Sequence, residues 1–397
     1  MIAASGVAVL GLAQGWWGGS GDVIGNSEGF RAGQAPEGSA AAGSWPEYGF
    51  DDERTRANPA LDLAPPFREA WSHDAGSLLE FPPVIGDGRV IVGTNAGLAI
   101  ALDAATGEEL WRTRLRGRVA SSPALAGERV LLTTTRGDLD VLDAATGVRA
   151  WRLPLGSSSE SSPLIADGDA YVGTLDGEVI RVDLDSRAPV WRARAGGEVK
   201  ASLAATANAV VVGDYGGQVS AFRRRDGALL WRTESPSPAL RGPGRFYAGP
   251  AVAYGRVFVG NVNGRVLALA AGDGGIAWVR SADDYVYSSA AVAEETVFVG
   301  SYDRRLYALD AVTGRPRWSV DVGERISGSP SVIGDLVYVS TLARPARDGV
   351  TIAFDVATGR ERWRFDDGRY SPAVAVEGLL VLTGVRTLYG LVPADAG

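Results

Sequence analysis

Short apolar runs rich in Val, Ile, Phe and Tyr recur along the chain: RVIVGT at 89–94, DAYVGTL at 169–175, RVFVGNV at 256–262 and TVFVGSY at 296–302. Turn pairs such as Asp176-Gly177 and Asn263-Gly264 bound them, so each run reads as a β-strand entering a hairpin. No long stretch carries the three-to-four spacing of an amphipathic helix. After each hairpin comes a second apolar run of the VLALD type, then a polar turn and a strand ending in tryptophan.

These tryptophans, Trp71, Trp111, Trp151, Trp191, Trp231, Trp278, Trp318 and Trp363, are 40, 40, 40, 40, 47, 40 and 45 residues apart. A period in this range marks a solenoid, propeller or array. Four strands per period make a propeller blade, and the VxVG-type strands number eight, at Val90, Val130, Tyr171, Val210, Val257, Val297, Val337 and Leu379. The last unit, 371–397, stops before any tryptophan strand, whereas FREAWSH around Trp71 is a tryptophan strand with no unit before it. The pattern therefore predicts an all-β, eight-bladed β-propeller of four-stranded blades over 67–397. The strand around Trp71 is expected to complete the eighth blade, leaving no sheet edge open.

The phrase ALDAATGEELW, 101–111, returns as VLDAATGVRAW, ALDAVTGRPRW and AFDVATGRERW. Its aspartate, at 103, 143, 310 and 355, is placed to bond the backbone two residues on, and its glycine supplies a conformation that a Cβ resists. Eight equivalent sites cannot each be an active site, so the tryptophan is read as architecture, a large ring plugging the gap between neighbouring blades. Arg223, Ala270 and the Ser186-Arg187 pair break the motif, and their turns are expected to be less well capped.

Before the propeller lie three further segments. Residues 1–17 hold an apolar run from Ile2 to Ala13 that reads as an export signal or membrane-anchor remnant. Residues 18–44, rich in Gly, Ala and Ser, read as a flexible linker, and 45–66 as a lead-in. An exported, extracytoplasmic location follows from that reading, with an N-terminal membrane tether.

Composition removes several chemistries. The net charge of −8 argues against a nucleic-acid partner. With no cysteine there is no disulfide or thiolate chemistry, and with His73 as the single histidine a Ser/His/Asp triad would rest on one residue beside a structural tryptophan.

Chemistry has to come from departures from symmetry. Aligned on the innermost strand, one row reads Pro82, Ser122, Ser162, Ser202, Gly249, Ser289, Ser329 and Ser371, small side chains where eight strands converge. Two residues earlier the row reads Glu80, Ala120, Glu160, Lys200, Tyr247, Tyr287, Ser327 and Arg369. Here the ring stops being symmetric, and Glu80, Glu160, Lys200, Tyr247, Tyr287 and Arg369 become a candidate ligand or partner site at the channel mouth. The insert SPSPALRGPGRFYAGP adds Arg241, Arg245 and Phe246 beside it, and LARPARDGV in the seventh blade is a second departure.

The motif A-x-D-x-x-T-G-x-x-x-W, here Ala101, Asp103, Thr106, Gly107 and Trp111, resembles the tryptophan-docking motif of the PQQ-like, quinoprotein-type propellers. Trp45, Pro46, Arg54 and Thr55 resemble the segment that often precedes the first blade in that family. The resemblance implies either a dehydrogenase holding pyrroloquinoline quinone (PQQ) and calcium, or a non-catalytic member of the BamB-like type. The dehydrogenases carry long insertions around the quinone, and many stack it on a disulfide of adjacent cysteines. This cysteine-free chain, spent almost wholly on blades, resembles the non-catalytic members more. The expectation is a monomeric binding or scaffolding module of the cell envelope with a protein or polymer partner, no catalytic residue, no bound cofactor and no metal. Two alternatives stand beside it: a PQQ-dependent dehydrogenase, and a carbohydrate binder using Tyr247, Tyr285, Tyr287 and Tyr370.

Overall fold

The computed structural model describes residues 22–32, 43–236, 244–342, 349–369 and 371–394. Eight antiparallel sheets follow one another at 84–114, 124–154, 164–194, 204–234, 251–281, 291–321, 331–365 and 374–393, numbered here as blades 1 to 8. First strands of neighbouring blades touch in succession from blade 8 to blade 1 and on to blade 7, so they are innermost. In blade 8 the outermost place is taken by Phe67–Asp74, paired antiparallel with Thr387–Pro393. Among the described residues no helix is long and apolar enough to cross a membrane.

The core lies between blades. Val84, Ile91 and Ala101 of blade 1 pack with Val130, Leu132 and Leu142 of blade 2, all fully buried. The docking tryptophans close the outer part of the same gaps. Trp71 Nε1 donates to Ala104 O of blade 1 at 2.9 Å, and the same bond links Trp111 to Ala144, Trp191 to Arg224 and Trp278 to Ala311. The motif glycine lies against the ring: a Cβ on Gly107 would sit 2.6 Å from the Trp71 indole, and its φ is +72°. Glycine is thus required twice, by left-handed backbone and by contact.

The motif aspartates make the turns that carry those glycines. Asp103 Oδ1 accepts from the amides of Thr106 at 2.9 Å and Ala105 at 3.0 Å, bonds that hold its carboxyl below the usual range. Where Arg223 and Ala270 replace the aspartate the turn keeps a cap. Asp226 and Asp273, three residues further on, accept from Ala228 N and Gly275 N. Arg187, in the glycine position of blade 3, takes the left-handed conformation at φ 61°.

The lead-in is a plug across one end of the channel. The second residue of seven successive innermost strands donates its amide to it. Ile85 bonds Trp45 O, Leu125 Pro46 O, Ala205 Asp52 O, Val252 Glu53 O, Val292 Thr55 O and Val332 Arg56 O, at 2.7 to 2.9 Å. Ile165 N bonds the Glu47 carboxylate at 3.1 Å. Following the ring in so few residues forces left-handed backbone at Phe50, Arg54 and Arg56, a cost of about 1–2 kcal/mol each. The buried Arg54 fork offsets it, bonding Leu203 O at 2.9 Å, Pro163 O at 2.8 Å and Glu47 at 2.9 Å.

Part of the expected linker is also seated. Asp22 meets Arg265 and Arg280 and accepts from Ser281 Oγ, and Val23 bridges Val279 on the outermost strand of blade 5. Gly25 lies over Trp278, which is fully buried, because a Cβ there would fall 2.8 Å from the indole. The Gly and Ser content that reads as flexible instead allows close approach to a blade edge. The apolar run of 1–17 lies outside the described residues.

Two stability measurements check this architecture. Gly88 and Gly107 share a left-handed φ, but a Cβ on Gly88 meets nothing within 4 Å. Gly107→Ala should therefore lose about 1–3 kcal/mol more than Gly88→Ala in chemical denaturation, the cost of overpacking against Trp71.

Burial raises the Asp51 carboxyl from 3.8 to about 8, against hydrogen bonds from Thr55 that favour the charged form. The folded chain keeps a proton that the unfolded chain has released across that window, so stability should fall as pH rises through it. Asp51→Asn should flatten that dependence. A residual slope remains from Glu47, which burial raises to about 7 against the opposing charge of Arg54.

Candidate functional site

With one end plugged, the channel is a blind pocket that opens only at its mouth. Its floor is Tyr48, lifted by the plug so that its hydroxyl lies 3.0 Å from Ser329 Oγ and 3.4 Å from Ser289 Oγ. Above the floor runs the row of small residues, and size alone does not account for its serines. Three of their hydroxyls accept the amide of the same position one blade back: Ser162 Oγ from Ser122 N, Ser289 Oγ from Gly249 N and Ser329 Oγ from Ser289 N, at 2.9 to 3.0 Å. At three of the eight positions the row thus satisfies an amide at the start of an inner strand.

The asymmetric row reaches the mouth. Glu80, Glu160, Lys200, Tyr247, Tyr287 and Ser327 all line the pocket. Lys200 Nζ lies 3.6 Å from Glu160, a partly exposed pair worth about 0–1 kcal/mol, and 5.0 Å from the Tyr215 ring centre. Arg245, outside the pocket lining, stacks over the same ring at 5.9 Å. Arg369 is not in the lining; its loop joins the mouth through Ser371, whose hydroxyl bonds Glu80 O at 3.1 Å. Arg241 and Tyr370 lie outside the described residues.

Five tyrosines form an arc over blades 4 to 6. Tyr215 meets Tyr247 at 6.5 Å between ring centres, Tyr247 meets Tyr287 at 5.4 Å, and Tyr287 meets Tyr285 at 5.6 Å and Tyr302 at 4.9 Å. Arg325 stacks over Tyr302 at 5.4 Å, so a cation closes each end of the arc. Burial, then the nearby acids Tyr287, Glu160 and Glu198, pushes the Tyr215 phenol up to about 12. Tyr215 and Tyr302 are not apparent from the alignment of innermost strands. They sit in the hairpins GDYGG and GSYDRR, the equivalent position of two blades, and their amides bond Glu198 O and Tyr285 O of the adjoining loops.

His73 stands on the outermost strand of blade 8 facing Glu109 at 3.5 Å, outside the pocket lining. Among the described residues no group of three or more His, Cys, Asp or Glu side chains is placed to hold a metal ion. A quinone tricarboxylate with calcium calls for several cations and a ligand cluster. The lining supplies two glutamates and a lysine already paired with one of them, a donor set that does not fit that cofactor.

An eight-bladed ring with docking tryptophans and a channel-mouth pocket defines the class of PQQ-like repeat propellers. The family model described as outer membrane protein assembly factor BamB matches residues 63–186, 175–289 and 285–394, and the chain belongs to this family. BamB from Moraxella catarrhalis superposes with a TM-score of 0.67 at 19% identity, over 82% of this chain and 100% of that one. Quinohemoprotein alcohol dehydrogenase from Comamonas testosteroni superposes at 0.75 and 16% identity, over 90% and 82%. Both likenesses show the fold. A 1-butanol dehydrogenase (cytochrome c) from Thauera butanivorans is 33% identical over 78 residues, 18% of this chain and 11% of that protein, so the chain spans about a tenth of that relative's length.

Proposed function

We propose that this chain is a non-catalytic recognition propeller of the cell envelope, a monomeric scaffold that binds a protein or polymer partner across the mouth face. The observation that carries the reading is the tyrosine arc, Tyr215, Tyr247, Tyr287, Tyr285 and Tyr302, confined to one sector of an otherwise repetitive ring. Aromatic side chains with an apolar body and a polar tip are the residues that dominate recognition surfaces. Membership of a family described by an outer-membrane assembly factor supports an extracytoplasmic setting, and the apolar run from Ile2 to Ala13 is the proposed tether. The dehydrogenase alternative has the fold on its side and the donor set of the pocket against it.

Crosslinking in native envelopes tests the reading. The native protein should capture a reproducible partner, and the Tyr247→Ala/Tyr287→Ala double variant should lose it with little change in unfolding midpoint. No reproducible partner, or capture indifferent to the tyrosines, would contradict it. Thermal unfolding with pyrroloquinoline quinone and calcium separates the rival: a bound ligand at 100 times its Kd adds about 2.7 kcal/mol, and no saturable shift is expected.

A further inference from the structure

Resting on that reading, we infer that residues 22–32 hang the propeller with its mouth toward the membrane, and that the tyrosine arc meets the extramembrane loops of a protein embedded in that same bilayer.

The direction of the seated segment carries the orientation. Val23 and Val279 exchange both backbone bonds, at 3.0 and 3.1 Å, in an antiparallel bridge to the outermost strand of blade 5. That strand, Ile276–Ser281, runs toward the mouth, because the connection after it carries Tyr287 and Ser289 of the pocket lining. The segment therefore runs the other way. Its start, Asp22, accepts from Ser281 Oγ at 2.6 Å and pairs with Arg265, the residue that follows the mouth-side hairpin. Its end lies at the plugged face. There Arg31 N bonds Tyr254 O at 3.0 Å, in the turn after the innermost strand of blade 5, and Arg256 stacks over Phe30 at 5.2 Å. Residues 1–21 thus join the ring at its mouth, in the sector of the arc, since Tyr285 follows Ser281 by four residues.

Chain length then sets the gap. The apolar run that ends at Ala13 is followed by Trp16 and Trp17, side chains of the kind that settle at a membrane–water boundary. From Trp17 to Asp22 a fully extended chain spans at most about 18 Å. The outermost strand alone covers about 20 Å between the two faces, so the plugged face cannot be the one held at the bilayer. A gap of that size is narrower than a small globular domain, about 30 Å across. A free soluble domain does not fit between the arc and the bilayer, whereas loops of a protein embedded beside the tether do. Tyr285 is 47% exposed and the other four rings are partly exposed, so the arc has apolar bodies and hydroxyls to offer such loops.

The chain has no cysteine, so single labels report unambiguously. Glu324→Cys, in the mouth-side connection after blade 6, and Asp87→Cys, in a turn at the plugged face, place a donor dye at exposed positions. The full chain in native membranes is then mixed with an acceptor-labelled lipid. Energy transfer should be stronger from the Glu324 site than from the Asp87 site. Gly25→Ala, whose Cβ would fall 2.6 Å from Val312 O and 2.8 Å from the Trp278 indole, should unseat the segment and shrink that difference. Lengthening the tether after Gly18 by about twenty Gly and Ser residues touches no described contact and should weaken both transfer from Glu324 and crosslinking to the partner. The partner, assayed without crosslinking, should resist alkaline extraction from the membrane. Equal transfer from the two sites, or stronger transfer from Asp87, would overturn the inference, as would a partner that alkaline washing releases. Either result, with capture still dependent on Tyr247 and Tyr287, leaves the recognition function standing.

Discussion

Everything at the centre of this molecule depends on a ring of hydrogen bonds between the lead-in and the innermost strands. In a propeller the first strand of each blade has one edge with no strand beside it, and that edge faces the channel. Amides left there would be buried without partners. Residues 45–56 meet seven of them in turn, from Ile85 to Val332, by following the ring as a tight, partly left-handed path. The consequence is functional as much as structural: the plug turns an open tunnel into a blind pocket and places Tyr48 as its floor.

The outer circumference is held differently. There six of the eight tryptophans lie on the glycine turn of the next blade, so blade-to-blade contact is repeated with nearly constant chemistry. Such a scaffold constrains the mouth very little, and the departures from the repeat gather there. The longer connection between blades 4 and 5 brings Arg245 and Tyr247 to the rim, next to the tyrosines of blade 6. Structural likeness to both an assembly factor and an alcohol dehydrogenase is what such a scaffold allows, since fold fixes the ring and leaves the chemistry to the pocket.

Much of this was legible in the sequence because a 40-residue period with Asp-x-x-Thr-Gly and Trp at fixed offsets is local information. Alternation along the innermost strands also brought Glu80, Glu160, Lys200, Tyr247 and Tyr287 to one pocket. What the residues did not reveal rests on contacts between segments distant in sequence. Tyr48 meets Ser329 across 281 positions, and nothing local marks the segment around it as a plug. Tyr215 and Tyr302 join the arc from hairpins, outside the aligned row. Asp226 and Asp273 restore caps that their motif positions lack, because an aspartate at another turn position offers the same acceptor. The seating of residues 22–32 depends on a groove that only the assembled blades 5 and 6 present.

The most direct measurement is hydrogen exchange at the amides of Ile85, Leu125, Val252, Val292 and Val332 in the unliganded protein. If the lead-in seals the channel, all five exchange only through global unfolding, as slowly as the central strands of their own blades. Exchange at these positions within the time of an exposed loop, with the second and third strands still protected, would mean that the plug is not seated. The channel would then be open at both ends, and the blind pocket would not exist.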